Sequence, residues 1–454
     1  MGRRGFLLSA CFLWAVVPFA RADGWKAGVA RATITPREPM WMAGYASRTG
    51  PSEGAVHDLW CKALALEDQG GSRAVLVSLD LCGVARPLSA EVREEVRTKY
   101  GLDQARIVLA CSHTHTGPVT RDNLITMYGL NEEQARKVQE YSKVLHRTIV
   151  DTVGKALEAL APVNLAWGTG RADFAVNRRE NKEADVPKLR EAVALKGPND
   201  FDVPVLKVSS NDGALKAIVF GYACHCTVLG FNQFTGDYAG FAQIDLEKAH
   251  PGTTALFVAG CGADQNPLPR RTVELARDYG SQLALAVEKV LSGPMPAVGR
   301  GLRVSYEEVN LPFAALPARA DWEREAASSN VSLSQRAKMF LTLIDAGQPV
   351  PSTCPYPVQA WRIGEDLTWV LLGGEVVVDY ALRLKRNFGP STTWVSSYCN
   401  DVMAYVPSER VLAEGGYEGD SSMIPYGLPS KWAPGIEDQI IEAVARRVRS
   451  LKAP

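Results

Sequence analysis

Apolar residues fall along the chain in two patterns: short continuous runs, and longer stripes at helical spacing. Ala74–Leu79 is a β-branched run that ends at Asp80, as expected for a strand buried on both faces. Ala90–Tyr100 then reads as a charged amphipathic helix stopped by Gly101, and Arg106–Ala110 as the next strand. From Asn131 to Leu160, Val138, Tyr141, Leu145, Ile149 and Val153 form one stripe and predict a long helix. Further strands are predicted at Val203–Ser209, Ala217–Tyr222, Ala255–Ala259, Val358–Ile363 and Leu367–Leu372. Helices are predicted at Val273–Leu291, Glu375–Phe388 and Ile436–Leu451. Pro312–Pro355 is the least regular stretch and is expected to be a helical insertion or a lid. This alternation implies an α/β fold: a mixed, mostly buried sheet with flanking helices. No internal repeat and no low-complexity linker divides the chain, so a single large domain is expected over residues 23–454.

Composition narrows the classes. The chain has 454 residues, 46% of them hydrophobic and 22% charged, which excludes a largely disordered or fibrous protein. Lys+Arg and Asp+Glu both number 50; with no basic excess, nucleic acid is not an expected partner. Residues 1–22 read as a signal peptide: Arg3 and Arg4, an apolar run from Phe6 to Ala20, then Ala20-Arg21-Ala22 as the cleavage site. Export to a periplasm or the medium follows, and Arg3-Arg4-Gly5-Phe6-Leu7 also fits a twin-arginine signal. No later segment approaches the ~20 apolar residues of a membrane span, so none is expected in the mature chain. Leu8-Ser9-Ala10-Cys11 resembles a lipoprotein cleavage box, but the apolar run ahead of it is too short. Cys61, Cys82, Cys111, Cys224 and Cys226 lie in strand-like runs and are expected to be small buried apolar residues rather than a disulfide framework.

Candidate chemistry gathers on histidines, of which there are only six. Ser112-His113-Thr114-His115-Thr116-Gly117-Pro118 follows a predicted strand directly. In an extended backbone His113 and His115 share a face, at the carboxyl end of a strand, where α/β sites form. Such a pair can supply one metal ligand and one general acid or supporting donor. His225 lies in Tyr222-Ala223-Cys224-His225-Cys226-Thr227. If that run is extended, both thiols point away from the imidazole, leaving His225 alone as the candidate ligand. Taken alone, a histidine in such an apolar run reads by default as a satisfied core histidine.

These pieces occur in a specific order. Gly28-Val29-Ala30-Arg31-Ala32-Thr33-Ile34-Thr35-Pro36 and Met42-Ala43-Gly44-Tyr45-Ala46 come first, then the His-Thr-His segment, Asn177-Arg178 and His225. Gly236-Asp237-Tyr238-Ala239-Gly240, Gly374-Glu375, Tyr405-Val406-Pro407 and Tyr417-Glu418-Gly419 follow. In that order they resemble the catalytic domain of the neutral/alkaline non-lysosomal ceramidases, over roughly Gly28 to Gly427. The long ceramidases carry a further C-terminal immunoglobulin-like domain, which has no expected counterpart before Pro454.

The resemblance implies an exported hydrolase that cleaves a linear N-acyl amide, of a small molecule or a lipid, with zinc-activated water. It assigns one Zn2+ to His113, His225, Glu375 and Tyr405. Imidazole, carboxylate and phenolate are all acceptable donors to that ion. By the same carry-over His115 and Arg178 face the substrate, to steady an oxyanion or hand a proton to the leaving nitrogen. Read singly, Glu375 would be an acid at a helix start, Tyr405 a core aromatic and Arg178 a surface arginine. One departure stands out. The family's Gly-Asp-x-Ser-Pro-Asn is replaced by Gly260-Cys261-Gly262-Ala263-Asp264-Gln265-Asn266-Pro267, with Asn266 at the serine position. Asn266 can hydrogen-bond a substrate carbonyl but offers no hydroxyl nucleophile, which turns the expectation away from ceramide itself. The competing readings are an ester or sugar-amide hydrolase in the same pocket and a binding protein without turnover. A two-metal phosphoesterase drawing on Asp80, Asp237, Asp264 and Asp401 is another.

Overall fold

The computed structural model describes residues 24–452; the signal expected over residues 1–22, including Cys11, lies outside them. Among the described residues the first strands are β1 (Trp25–Thr33), β2 (Trp60–Glu67), β3 (Arg73–Leu79), β4 (Ile107–Cys111) and β5 (Ala161–Arg171). They are followed by β6 (Ala175–Asn177), β7 (Asp202–Ser210), β8 (Leu215–Tyr222), β9 (Thr254–Ala259) and β10 (Gln265–Pro267). Eight of these form one mixed sheet in the order β4-β3-β2-β1-β5-β7-β8-β9. The two halves repeat one plan outward from the central β1–β5 pair: two antiparallel pairings, then a parallel pair at the edge, β3–β4 or β8–β9. Helices Arg86–Tyr100 and Asp237–Ala249 make the two parallel crossovers. A second sheet joins β11 (Leu302–Pro312), β12 (Thr353–Ile363) and β13 (Leu367–Leu372). Beyond β14 (Glu375–Val376), strand β15 (Thr393–Ser396) completes that sheet beside β13, and β16 (Tyr405–Val406) pairs with β14.

The sheets stack face to face, and period-2 alternation shows how. Leu76, Val108, Val219 and Val258 point inward against Trp361, Trp369 and Trp394, whose last two rings stack at 4.0 Å. The intervening residues, Val75, Val77, Ile218 and Phe220, point outward into the helical layer. Helix Glu132–Glu158 covers β1 and β2, Val273–Leu291 covers β5 and β7, and Ile436–Ser450 covers the far side of β11 and β12. The result is four layers, helix–sheet–sheet–helix, in which β2, β3, β4, β8, β9 and β13 are buried on both faces over most of their length. That burial is why their strands read as unbroken apolar runs.

Several boundaries differ from the sequence reading, for physical reasons. The first crossover helix starts at Arg86, because Pro87 is compatible with a first helical turn where its missing N–H is no loss. The helix predicted from Glu375 begins at Val378. Glu375 instead sits in the two-residue strand β14, its N–H bonded to the Ala404 carbonyl at 2.8 Å. The irregular stretch 312–355 contains helices Arg319–Ala326 and Val331–Asp345, packed on their own small core of Trp322, Ala337 and Phe340. All eight described cysteines are free, and all but Cys354 are buried, as expected of apolar filler. No described helix is long and apolar enough to cross a membrane.

Both edges of the large sheet are covered. The segment after β15 donates from Ser397 N to the Ala259 carbonyl of β9 (3.0 Å) and from Asn400 N to the Leu109 carbonyl of β4 (2.7 Å). Cys111 N of β4 donates back to the Tyr398 carbonyl at 3.1 Å. The sheet curls enough for Ser78 Oγ on β3 to reach the Phe257 carbonyl on β9 at 2.6 Å. This curl brings the carboxyl ends of both parallel pairs together.

Candidate metal centre

His113 and His225 come from those two ends, and each ring is held by a carbonyl from the neighbouring strand's end. His113 Nδ1–H donates to the Cys82 carbonyl, just past β3, at 2.7 Å. His225 Nδ1–H donates to the Gly262 carbonyl, just past β9, at 2.8 Å. Committing Nδ1 in this way leaves each Nε2 lone pair for a cation. The backbone of His113 is not extended: its φ of 61° lies in the left-handed region, a strained conformation for a non-glycine residue. His113 and His115 converge for a different reason than strand alternation, since β4 has already ended at Cys111. The turn brings their Nε2 atoms to 3.0 Å, and the His113 ring stacks on Tyr398 at 4.4 Å. Cys224 and Cys226 form no metal-ligating cluster with His225.

The other two candidate ligands arrive as a pair. Glu375 and Tyr405 are register partners in the β14–β16 pairing. Glu375 Oε2 lies 3.0 Å from His113 Nε2 and 3.2 Å from His225 Nε2, and the Tyr405 hydroxyl lies 3.1 Å from His225 Nε2. Donors about 2.0–2.1 Å from a tetrahedral ion sit about 3.3 Å apart, so these spacings are those of a ligand shell. All four residues are at most 3% exposed. Glu375 Oε2 is a buried oxygen facing two imidazole nitrogens, an arrangement that needs a cation or a proton at its centre. Burial opposes a charge on His113, while the Glu375 carboxylate beside it raises its pKa to about 10. Burial, reinforced by Arg178, lowers His225 to about 4. Burial also pushes the Tyr405 phenol well up, as does Glu375, while Arg178 pulls it down. The donor set therefore fits a dication better than it fits protons alone.

Around this cluster the other predicted residues take clear positions. Arg178 follows the short strand β6 and donates from Nε to Glu418 at 2.7 Å, from Nη2 to the Tyr405 hydroxyl at 3.2 Å and from Nη1 to Asn266 Oδ1 at 3.3 Å. It is no surface arginine. Asn266, on β10, is 4% exposed. His115 Nδ1 is buried with no partner, and a second metal-capable cluster links Cys82, His113 and His115. The four aspartates considered for a second metal are committed elsewhere. Asp80 accepts from Trp60 N and Gln243, Asp237 from Val228 N and Leu229 N, Asp264 from Asn177 and Val378 N, and Asp401 from Arg86 N. None of them joins either cluster.

Two residues were not singled out from sequence. Tyr426 donates to Glu375 Oε1, and no motif surrounds it. Glu418, which bonds both Arg178 and Arg179, did lie inside a quoted block, Tyr417-Glu418-Gly419, and that was its signal.

The neutral ceramidase of Pseudomonas aeruginosa is 28% identical over 261 residues, 54% of this chain and 38% of its own. Neutral ceramidase B of Dictyostelium discoideum is 27% identical over 232 residues, 49% of this chain and 32% of its own. The chain thus spans well under half the length of these curated relatives. Among solved structures, a ceramidase complexed with C2 superposes with a TM-score of 0.72 at 19% identity, covering 94% of this chain and 76% of that one. The crystal structure of the Pseudomonas aeruginosa neutral ceramidase gives 0.70 over 95% and 75%. The sequence model described as neutral/alkaline non-lysosomal ceramidase, N-terminal, matches residues 25–266. That match takes in His113, Arg178, His225 and Asn266 and covers more than half of the sequence, so the chain belongs to the neutral/alkaline non-lysosomal ceramidase family.

Proposed function

We propose that this protein is an exported, zinc-dependent hydrolase of linear N-acyl amides. The observation that carries the reading is the convergence of His113 Nε2, His225 Nε2, Glu375 Oε2 and the Tyr405 hydroxyl in one buried cluster. Relatives named neutral ceramidases support the amide bond as the target. A zinc ion held by those four residues would supply Lewis acidity, polarising a carbonyl and lowering the pKa of water toward ~7.

The chain's own groups account for the remaining steps. Hydrolysis joins a water oxygen to the carbonyl carbon, breaks the C–N bond and requires a proton on the departing nitrogen. Arg178, braced by Glu418, places a fixed positive charge beside the Tyr405 hydroxyl, where an oxyanion would develop. His115 turns its Nε2 toward the cluster, 3.0 Å from His113 Nε2, so it can carry the proton to nitrogen. Asn266 offers an amide donor to the substrate but cannot form a covalent intermediate through oxygen. Ceramide is therefore a poor expected substrate, and shorter soluble N-acyl compounds are better ones. The test is turnover of a panel of N-acyl amides by the zinc-loaded protein, its His113→Ala variant and Asn266→Ser. Activity on soluble amides, lost in His113→Ala and shifted toward lipid amides in Asn266→Ser, is the expected pattern. Ceramide as the preferred substrate of the unaltered protein would refute the weight given to Asn266.

A further inference from the structure

A cleft of about 530 Å³ opens beside the donor cluster. Arg178, which bonds the Tyr405 hydroxyl, and Asn266, which Arg178 bonds in turn, both line it. Tyr417 forms its lip, with its ring centroid 5.2 Å from that of Tyr405. A long-chain base would need an aliphatic wall here, because methylenes left in water gain nothing from burial. The lining has almost none: Leu268 is its one aliphatic side chain.

What the lining offers instead is hydrogen-bond donors. Its three carboxylates are already engaged by arginines: Glu418 by Arg178 and Arg179, Glu414 by Arg179, and Glu183 by Arg270. Among the described residues, those pairings leave the exposed Lys182 as the lining cation without a carboxylate partner. Asn266 is oriented by Arg178, which donates to its Oδ1 and so turns Nδ2, with no acceptor of its own among the described residues, away from the arginine. Asn266 is 4% exposed and lines the cleft, so that unmet donor is part of its wall. Free donors and one unbalanced positive charge are complementary to acceptor oxygens bearing negative charge.

We infer that the natural substrate is a linear amide carrying a carboxylate or similar anionic group near the scissile carbonyl, received by Lys182 and the Asn266 amide. This rests on the amidase reading above and adds to it the chemistry of the group beside the bond. It excludes an uncharged long-chain base from this cleft.

The zinc-loaded protein is assayed on N-octanoylglycine, N-octanoylglycinamide and N-octanoylsphingosine in detergent. The carboxylated amide should exceed the glycinamide by about tenfold or more in kcat/KM, with the sphingosine amide last. Lys182→Glu should lower kcat/KM for the carboxylated amide about tenfold more than for the glycinamide, and added salt should narrow the same gap. Equal rates on the two glycine compounds, or a sphingosine amide that leads, overturns the inference while leaving the amidase reading intact. If none of the three is cleaved, the amidase reading falls, and calorimetric binding of N-octanoylglycine to the zinc-loaded protein decides the cleft separately. Binding that is weakened by Lys182→Glu and absent for the glycinamide sustains it; no binding, or equal binding of both, rejects it.

Discussion

Tyr426 donates its hydroxyl hydrogen to Glu375 Oε1 at 2.5 Å. The bond fixes the carboxylate so that the other oxygen, Oε2, faces the two imidazoles. Groups that orient a metal ligand in this way commonly affect metal affinity by about 10–100-fold. Tyr426→Phe should therefore weaken zinc binding within about that range while leaving the fold unchanged by circular dichroism. An unaltered zinc dissociation constant would show that Glu375 is held adequately by β14 alone.

Elemental analysis should find one zinc per chain. His113→Ala combined with His225→Ala removes two donors of the cluster and should abolish stoichiometric zinc. Retention of a full equivalent in that double variant would place the ion elsewhere.

Arg178→Lys keeps the charge but cannot make the three separate bonds that the guanidinium makes to Glu418, Tyr405 and Asn266. Loss of a preorganised donor of this kind costs about 10²–10³ in kcat. We expect a fall of that order with KM changed much less. A variant that loses only KM would reassign Arg178 to ground-state binding.

Asp401 is almost fully buried, and that burial raises its pKa from 3.8 to about 7 against the pull of Arg86. A carboxyl with a raised folded-state pKa contributes its stability below its unfolded pKa and loses it as pH rises through the folded value. Asp401→Asn, which cannot ionise, should therefore gain unfolding free energy relative to the parent as pH climbs from about 4 to about 8. Urea titrations at both ends of that window give the comparison; a constant difference would rule out ionisation of Asp401 as the source.

Replacing Arg3 and Arg4 by lysine should block export if the twin-arginine route, which carries folded proteins, is used. Cell fractionation decides between this route and general secretion, which would continue unimpaired.

Much of the fold was readable because its strands are buried on both faces. β13 falls on Leu367–Leu372, and helix Val273–Leu291 falls on its predicted span, its start marked by Thr272, whose side chain accepts from Leu275 N. β5 was not among the predicted strands, and its apolar pattern is interrupted by Gly168 and Gly170. They are there for closeness: a Cβ on Gly170 would come within 3.0 Å of the Ala286 carbonyl on the covering helix. The candidate site residues were legible as ordered motif blocks, but their geometry was not. Nothing in His-Thr-His signals a positive φ at His113, and nothing near Glu375 signals pairing with Tyr405, thirty residues on in the chain. Such short pairings depend on the assembled core, not on local preference. Tyr426 lies in the same blind spot: only the assembled fold brings it to Glu375.

The covered sheet edges bear on how the protein is made. While the ribosome is still short of residue 397, β4 and β9 lack the backbone partners supplied by Ser397, Tyr398 and Asn400. Unpaired strand edges are templates for pairing with other chains, and multi-step folders are most vulnerable to aggregation in such intermediates. A truncated product ending near residue 300 would hold both histidines yet present two bare edges, and it should accumulate as insoluble material rather than as a small working enzyme.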